Sequence, residues 1–384
     1  MERFPALLIG GPPHSGKSVL TYSLTHTLRQ QGVQHYVIRA APDGEGDWAN
    51  EADQKLVREL RYKGTFTPEF TSFVCRSLQQ RHLPLLVDVG GRPTPEQERI
   101  FEHCTHALLL TPDAESQVQW RTLLQRHALP CIAELTSILH GEQTLICDTP
   151  FLKGVLTGLE RQHVAAGPVF EALVARVATL LAYDAHELFC IHERLCPAEL
   201  VIDLPRLART FDVPHIGQKP QWKPHHLSTV LNYLPEAIPL GLYGRGTNWI
   251  YTAVALLTLP EPFYQFDPRL GWVQAQTLRF GNAADQPLEI RQHPLADGIQ
   301  LDCRIPQTYL DYAQLPDLVV PVLSPNGGVL LSGKLPYWLY TSLARTYQVH
   351  PWIAVYQPQL KCAVVIHSTS PLYSIGDCIH AGSS

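Results

Sequence analysis

From the start of the chain to about residue 115, short apolar runs alternate with stretches in which apolar residues return every three or four positions. "ALLIG" leads into "KSVLTYSLTHTLRQQG", and "HYVIRA", "LPLLVDVGG" and "HALLLTPD" follow. The unbroken apolar runs suit strands buried on both faces, and the stretches between them suit amphipathic helices. The pattern therefore predicts a parallel sheet with helices on both faces. Helical periodicity continues through "GPVFEALVARVATLLAYDAHELFCIHERL" (Gly167 to Leu195), which predicts a long helical segment packed on that sheet.

The periodicity then lapses. "FDVPHIGQKPQWKPHH" (Phe211 to His226) is rich in proline and reads as a linker, so the expected division is 1–205, a linker over 206–235, and 236–384. Beyond it short apolar runs dominate, among them "AIPLGLYG", "GVLLSG", "WIAVY" and "CAVVIHS". A repeat runs through this half. "GRGTNWIYT" (Gly244 to Thr252) aligns with "GKLPYWLYT" (Gly333 to Thr341) at a spacing of 89 residues, and Pro268 of "DPRL" matches Pro358 of "QPQL" at a spacing of 90. Two similar subdomains are expected, about 236–285 and 286–384, facing each other across a pseudo-twofold axis.

Composition narrows the function classes. At 384 residues, 45% hydrophobic and 17% charged, the chain holds more than one ordinary core. A net charge of -5 excludes the surplus of Lys and Arg needed to coat long nucleic acid, while a local basic pocket for a small anion stays open. The nine cysteines contain no CxxC pair. "CIHERLC" (Cys190 to Cys196) reads as core rather than as a metal site, and such usage fits a reducing cytoplasm. The N-terminal apolar run is too short for a signal peptide, and no window is long enough to span a bilayer.

The sharpest motif is "GPPHSGKS", Gly11 to Ser18, which fits G-x-x-x-x-G-K-[ST] and sits between a strand and a helix. Such a P-loop cradles phosphates with backbone N–H groups. Gly11, Ser15 and Gly16 shape it here, Lys17 reaches the β and γ phosphates, and the Ser18 hydroxyl ligates Mg2+. Asp88 in "LLVDVGG" is the expected second carboxylate on the magnesium side, and Asp88-x-x-Gly91 is similar to loops that sense a γ-phosphate. Val89 stands where ring-forming ATPases usually carry Glu, and no Asn-Lys-x-Asp motif reads guanine, so ATP is the expected nucleotide. An N-terminal P-loop domain of NTPase or kinase-like type follows.

"IRAAPDGEGDW" (Ile38 to Trp48) supplies Asp43, Glu45 and Asp47, and "RELRYKG" supplies Arg58, Arg61 and Lys63. In a small-molecule kinase the acceptor lies opposite the phosphate loop. Asp43 or Asp47 would then orient it and Arg61 or Lys63 would hold its charge, although an ordinary charged loop and helix face reads equally well.

In the duplicated half, Arg245 lies in the tight turn Gly244-Arg245-Gly246, where glycines allow close approach to a phosphate and Arg offers a planar fork. Trp249 and Trp338 could stack on bases, but their matched positions favour core. Asp267 and Arg269 flank Pro268 at a strand end, where an acid and a base could bind metal, position a ribose hydroxyl or pair with each other.

"GRG", the following Trp-Ile-Tyr helix and "DPRLG" resemble the third family of CRISPR ring nucleases, the Csx-three group of type III systems. The resemblance covers about residues 236 to 384. It implies small Rossmann-like units related to the CARF domains that sense cyclic oligoadenylates. It also implies binding of cyclic tetra-adenylate or short RNA between subunits of a homo-oligomer, and metal-dependent opening of the ring, with Mn2+ as an alternative to Mg2+. The resemblance also implies fusion of this unit behind a P-loop kinase-like domain. By position it assigns Asp267 and Arg269 to the active corner and Gly244, Arg245 and Gly246 to the RNA-binding turn. The second copy keeps Gly333, has Lys334 for Arg, and carries Gln357 and Gln359 at its corner. The family's catalytic histidine falls at Thr258 and Gln348, which leaves binding expected and cleavage in question.

Overall fold

The protein's structure, a computed structural model, describes residues 4–40, 68–160, 163–216, 219–281, 286–306 and 310–380. It forms two compact units, Met1–Leu188 with Pro268–Gly271, and Phe189–Asp267 with Trp272–Ser384. The architecture is mixed α/β with parallel sheets.

The first unit runs β1 (Ala6–Gly10), α1 (Lys17–Gln30), β2 (Tyr36–Ala40), α2 (Pro68–Gln79), β3 (Leu85–Val89), β4 (His106–Thr111), α3 (Ala114–Arg126), β5 (Cys131–Ile138), β6 (Thr144–Cys147), β7 (Leu152–Thr157) and α4 (Pro168–Leu180). These strands form one seven-stranded sheet in the order β2-β3-β1-β4-β5-β7-β6. All pairings are parallel except the hairpin of β6 with β7. Every residue of β1 and β3 is buried, as their uninterrupted apolar runs require of strands covered on both faces. Leu20, Leu24 and Leu28, spaced by fours on α1, join Val169, Leu173 and Val177 of α4 in the main core.

The long helix expected over 167–195 is two helices, α4 and α5 (Ala185–Glu193). Asp184 makes the break. Its Oδ1 accepts from the backbone N–H groups of His186 (2.8 Å) and Glu187 (3.3 Å), so it starts a new helix instead of continuing the old one.

The second unit continues with β8 (Leu200–Asp203), α6 (Leu204–Thr210), β9 (His215–Ile216), β10 (Lys219–Pro220), α7 (His226–Tyr233), β11 (Leu240–Tyr243), α8 (Asn248–Leu257), β12 (Phe263–Asp267) and β13 (Gly271–Gln274). Then follow β14 (Arg279–Phe280), β15 (Glu289–Leu295), β16 (Gly298–Arg304), β17 (Val319–Val320), β18 (Gly328–Gly333), α9 (Tyr337–Thr346), β19 (Trp352–Gln357), β20 (Cys362–Ser368) and β21 (Cys378–Ile379). Residues 206–235, read as a linker, carry most of α6 and all of α7 and fall inside this unit. Pro205, just before this stretch, stands in the first turn of α6, where the missing N–H is not needed, and Pro224 precedes α7. Trp222, Leu227 and Val230 are buried.

The sequence repeat is also a repeat of topology. Strands β8, β11 and β12 run parallel with β13 beyond, and β16, β18 and β19 run parallel with antiparallel β20 beyond. Helix α8 follows β11 as α9 follows β18, and the two helices pack against each other. The Tyr251 hydroxyl donates to the Gly244 carbonyl, and the Tyr340 hydroxyl donates to the Gly333 carbonyl. Trp249 and Trp338 are fully buried, so both are core residues and neither is a stacking surface. Truncating either to alanine should cost about 3–5 kcal/mol, read as a lower urea midpoint. A loss below about 1 kcal/mol would mean that the repeat is not held by these rings. Among the described residues no helix is long and apolar enough to cross a membrane.

Candidate functional site

Strand β1 lies inside its sheet, third of the seven strands, and the chain leaves it for β2 on one side while β4 lies on the other. The Gly11–Ser18 loop thus opens from the carboxyl end of a strand where the order of the sheet reverses, the usual place for a ligand in such sheets. Gly11 has φ of 150°, and a Cβ there would stand 2.0 Å from the Leu110 carbonyl oxygen. Gly16, at φ 92°, turns the chain into α1. Both positions demand glycine for backbone reasons.

Lys17 is 8% exposed, and its Nζ donates to the carbonyls of Gly11 and Pro12, each at 2.8 Å. Burial pulls its pKa below the ordinary value, and the nearby Asp88 charge pulls the other way. The Ser18 hydroxyl donates to Asp88 Oδ2 at 3.0 Å, so the two expected metal-side groups are brought together from α1 and β3. Ser15 is buried, and its Oγ has no hydrogen-bond partner among the described residues; the same holds for Thr111 Oγ1 at the end of β4. Unsatisfied hydroxyls of this kind carry an unfavourable desolvation cost that a polar ligand would relieve. The chemistry of the set, one cation, one hydroxyl and one carboxylate around a glycine loop, suits a phosphate with a hard divalent ion.

Two further features belong to this site. Arg39 on β2 is in register with Asp88, and its Nε stands 3.9 Å from Asp88 Oδ2. Arg39 was not anticipated, although a charge inside the buried run "YVIRA" is itself a signal. Gly91 meets the loop backbone to backbone. A Cβ at Gly91 would lie 2.3 Å from the Pro13 nitrogen, which ties the Asp88-x-x-Gly91 segment directly to the loop. Asp43, Arg61 and Lys63, the expected acceptor residues, lie outside the described residues, as do Glu45, Asp47 and Arg58.

In the second unit, the carboxyl edge of the β8-β11-β12 sheet gathers a different set. Gly244, at φ 94°, begins the turn from β11 to α8, and a Cβ there would stand 2.4 Å from Pro205 Cδ. A Cβ at Gly246 would stand 2.6 Å from Leu204 Cδ1, while Arg245 between them is exposed. Asp267 closes β12; Arg269, two residues on, belongs to the Pro268–Gly271 segment of the first unit. Tyr251 is held far above its ordinary pKa, first by burial and then by Tyr337, Tyr243, Asp267 and Asp203, which places these groups around it. Asp203, Tyr243 and His192 were not anticipated. Asp203 is in register with Tyr243, whose hydroxyl lies 2.9 Å from the buried His192 Nδ1. An apolar run ending in Asp, "LVID", was the available signal.

The second copy is built alike with different chemistry. Gly333 has φ of 134°, a Cβ there would stand 2.0 Å from the Cys303 carbonyl oxygen, and Lys334 beside it is exposed. Gln357 donates its side-chain amide to Gln359, so this uncharged corner closes on itself. Thr258 donates to the Ala255 carbonyl (3.1 Å) and accepts from Arg345 Nη2 (2.7 Å), which makes it a fixed part of the core. Gln348 is exposed.

Residues 304–380 match the family described as CRISPR-associated protein (Cas_csx3). An uncharacterized protein of Aquifex aeolicus is 43% identical over 54 residues, which are 14% of this chain and 49% of that protein. The match thus spans about half the length of the curated relative. The C-terminal region is accordingly of the CRISPR-associated Csx3 type. The matched segment holds β18, α9, β19 and β20 and the Gln357 corner, whereas Asp267 and Arg269 precede it.

Proposed function

We propose that the first unit is a P-loop domain that binds ATP with Mg2+ at Gly11, Ser15, Gly16, Lys17, Ser18 and Asp88. In the same reading the second unit binds cyclic tetra-adenylate, with Arg245 holding its backbone and Asp267 acting in its opening in CRISPR signalling. The observation that carries the nucleotide half is the Ser18–Asp88 hydrogen bond at 3.0 Å beside the buried Lys17. What supports the second half is the Cas_csx3 match together with the two glycine turns at equivalent strand ends.

Mg2+ would supply charge neutralisation between phosphate oxygens at Ser18 and Asp88. Lys17 would exchange its two carbonyl acceptors for phosphate oxygens, and Ser15 would gain a partner for its hydroxyl. At the second site Arg245 offers a fork to a phosphodiester, and Asp267 is the group able to take or orient a ribose hydroxyl proton.

A second reading, a sensor that binds the ring without opening it, is favoured by Thr258. A hydroxyl fixed between a carbonyl and a guanidinium cannot serve as the histidine acid or base that the resemblance implies. Incubating the full chain with labelled cyclic tetra-adenylate, with Mg2+ or Mn2+, separates the readings by product formation. Asp267→Ala should abolish product and keep binding. Arg245→Ala should weaken binding about ten- to a hundredfold, the worth of a charge-assisted hydrogen bond. Absence of any ring binding by the unmodified protein would remove the proposal for this half and leave the nucleotide half standing.

A further inference from the structure

We propose that the cavity at the carboxyl ends of α8 and α9 is a binding site for a nucleotide-sized, phosphate-bearing molecule, with Arg345 as its phosphate anchor. The cavity has a volume of about 690 Å³ and is lined by Leu259, Pro260, Gln274, Gln276, Arg345 and Gln348 among others. That size lies within the ~300–1,000 Å³ typical of small-ligand sites. No acidic side chain among the described residues lines it.

Arg345 is 5% exposed, yet no ion pair among the described residues includes it. Its hydrogen bonds go to neutral oxygens: Nε to the Ala255 carbonyl (2.8 Å), and Nη2 to Thr258 Oγ1 (2.7 Å) and the Glu261 carbonyl (2.5 Å). These contacts cap the end of α8, whose carbonyls carry part of a negative charge. Capping accounts for one edge of the fork. Nη1 makes no hydrogen bond among the described residues, so a buried cation keeps an open donor on the wall of a cavity. Burial without a carboxylate also pulls the Arg345 pKa down to about 10, the direction expected of a charge in want of a counter-ion.

The remaining lining sets the ligand class. The side-chain amides of Gln274 and Gln348 have no hydrogen-bond partner among the described residues, and Gln276 makes only a long bond, 3.4 Å, to the Tyr312 hydroxyl. A glutamine amide offers the adjacent donor and acceptor that match the N7 and N6–H edge of adenine. Leu259 and Pro260 supply an apolar wall for a base. A phosphate on Arg345 with a base among the glutamines is therefore the occupant this lining fits best. The cavity lies at the opposite ends of α8 and α9 from the Gly244 and Gly333 turns, so the inference does not rest on the ring-binding proposal.

The test uses the full chain carrying Lys17→Ala, which silences the Gly11–Ser18 loop, and equilibrium dialysis of labelled adenosine monophosphate. Saturable binding of one molecule per chain is expected. Gln348→Glu, an exposed change that sets a carboxylate near Arg345, should weaken binding at least tenfold with an unchanged thermal midpoint. Arg345→Lys, which keeps the charge and loses the fork, should weaken it as well. Lack of saturable binding, indifference to Gln348→Glu, or inorganic phosphate binding as tightly as the nucleotide would each overturn the proposal.

Discussion

Lys17→Ala should lower nucleotide turnover on the order of 100- to 1,000-fold, the usual loss when one preorganised donor to a developing charge is removed. The ammonium is already desolvated, and its acceptors in the structure are two loop carbonyls, so it is poised to exchange them for phosphate oxygens. Deleting it removes charge without opening a core cavity, because its neighbours are polar backbone groups. The thermal midpoint should therefore stay within a few degrees while phosphate release from ATP collapses. Ser18→Ala gives a contrasting signature, a raised requirement for Mg2+ with a smaller loss at saturating metal. Equal turnover in the Lys17→Ala protein would show that the loop binds something other than a triphosphate.

Gly91→Ala should be nearly as damaging for a different reason. The new methyl group would meet the Pro13 nitrogen at 2.3 Å and the Pro12 carbonyl carbon and Pro13 Cα at 2.7 Å. All three atoms are backbone, so relief requires the Gly11–Ser18 loop itself to move. Overpacking of this kind costs about 1–3 kcal/mol. Displacing the loop should also remove most ATP binding, measured by calorimetry. Gly158→Ala is the control: nothing lies within 4 Å of its Cβ position, and only its φ of 72° opposes the change. It should cost about 1–2 kcal/mol and leave ATP affinity intact. Should Gly91→Ala bind ATP as the parent does, the approach of this segment to the loop has no bearing on the ligand.

The parts of the fold that were legible in the sequence are those governed by local pattern. Apolar runs such as "ALLIG" and "LPLLVDV" gave the buried parallel strands, and the spacing of Leu20, Leu24 and Leu28 gave α1. The repeat at a spacing of 89 residues placed Tyr251 and Tyr340 at equivalent positions, and each donates to the carbonyl of its own glycine turn. Misreadings arose where a polar residue or a proline acts as a boundary inside a folded segment. Asp184 restarts a helix that periodicity alone would continue, and Pro224 precedes a helix in a stretch whose composition suggested a linker. Ser18 and Asp88 were paired in advance because a motif fixes one and a strand end fixes the other. Arg39, Asp203, Tyr243 and His192 escaped because only strand register and tertiary packing bring them together. Arg345 escaped for the same reason: the oxygens that bind it come from around the end of α8, some ninety residues earlier in the chain.

The packing of α8 against α9 joins two repeats of one polypeptide. Partners on separate chains come apart on dilution, but a tethered pair keeps a high effective concentration however scarce the protein is. Each half is also free to diverge, because a substitution in one is not imposed on the other. Lys334 at the position equivalent to Arg245, and Gln357 at that equivalent to Asp267, are that freedom in use: matching turns of one polypeptide have come to carry unequal charge.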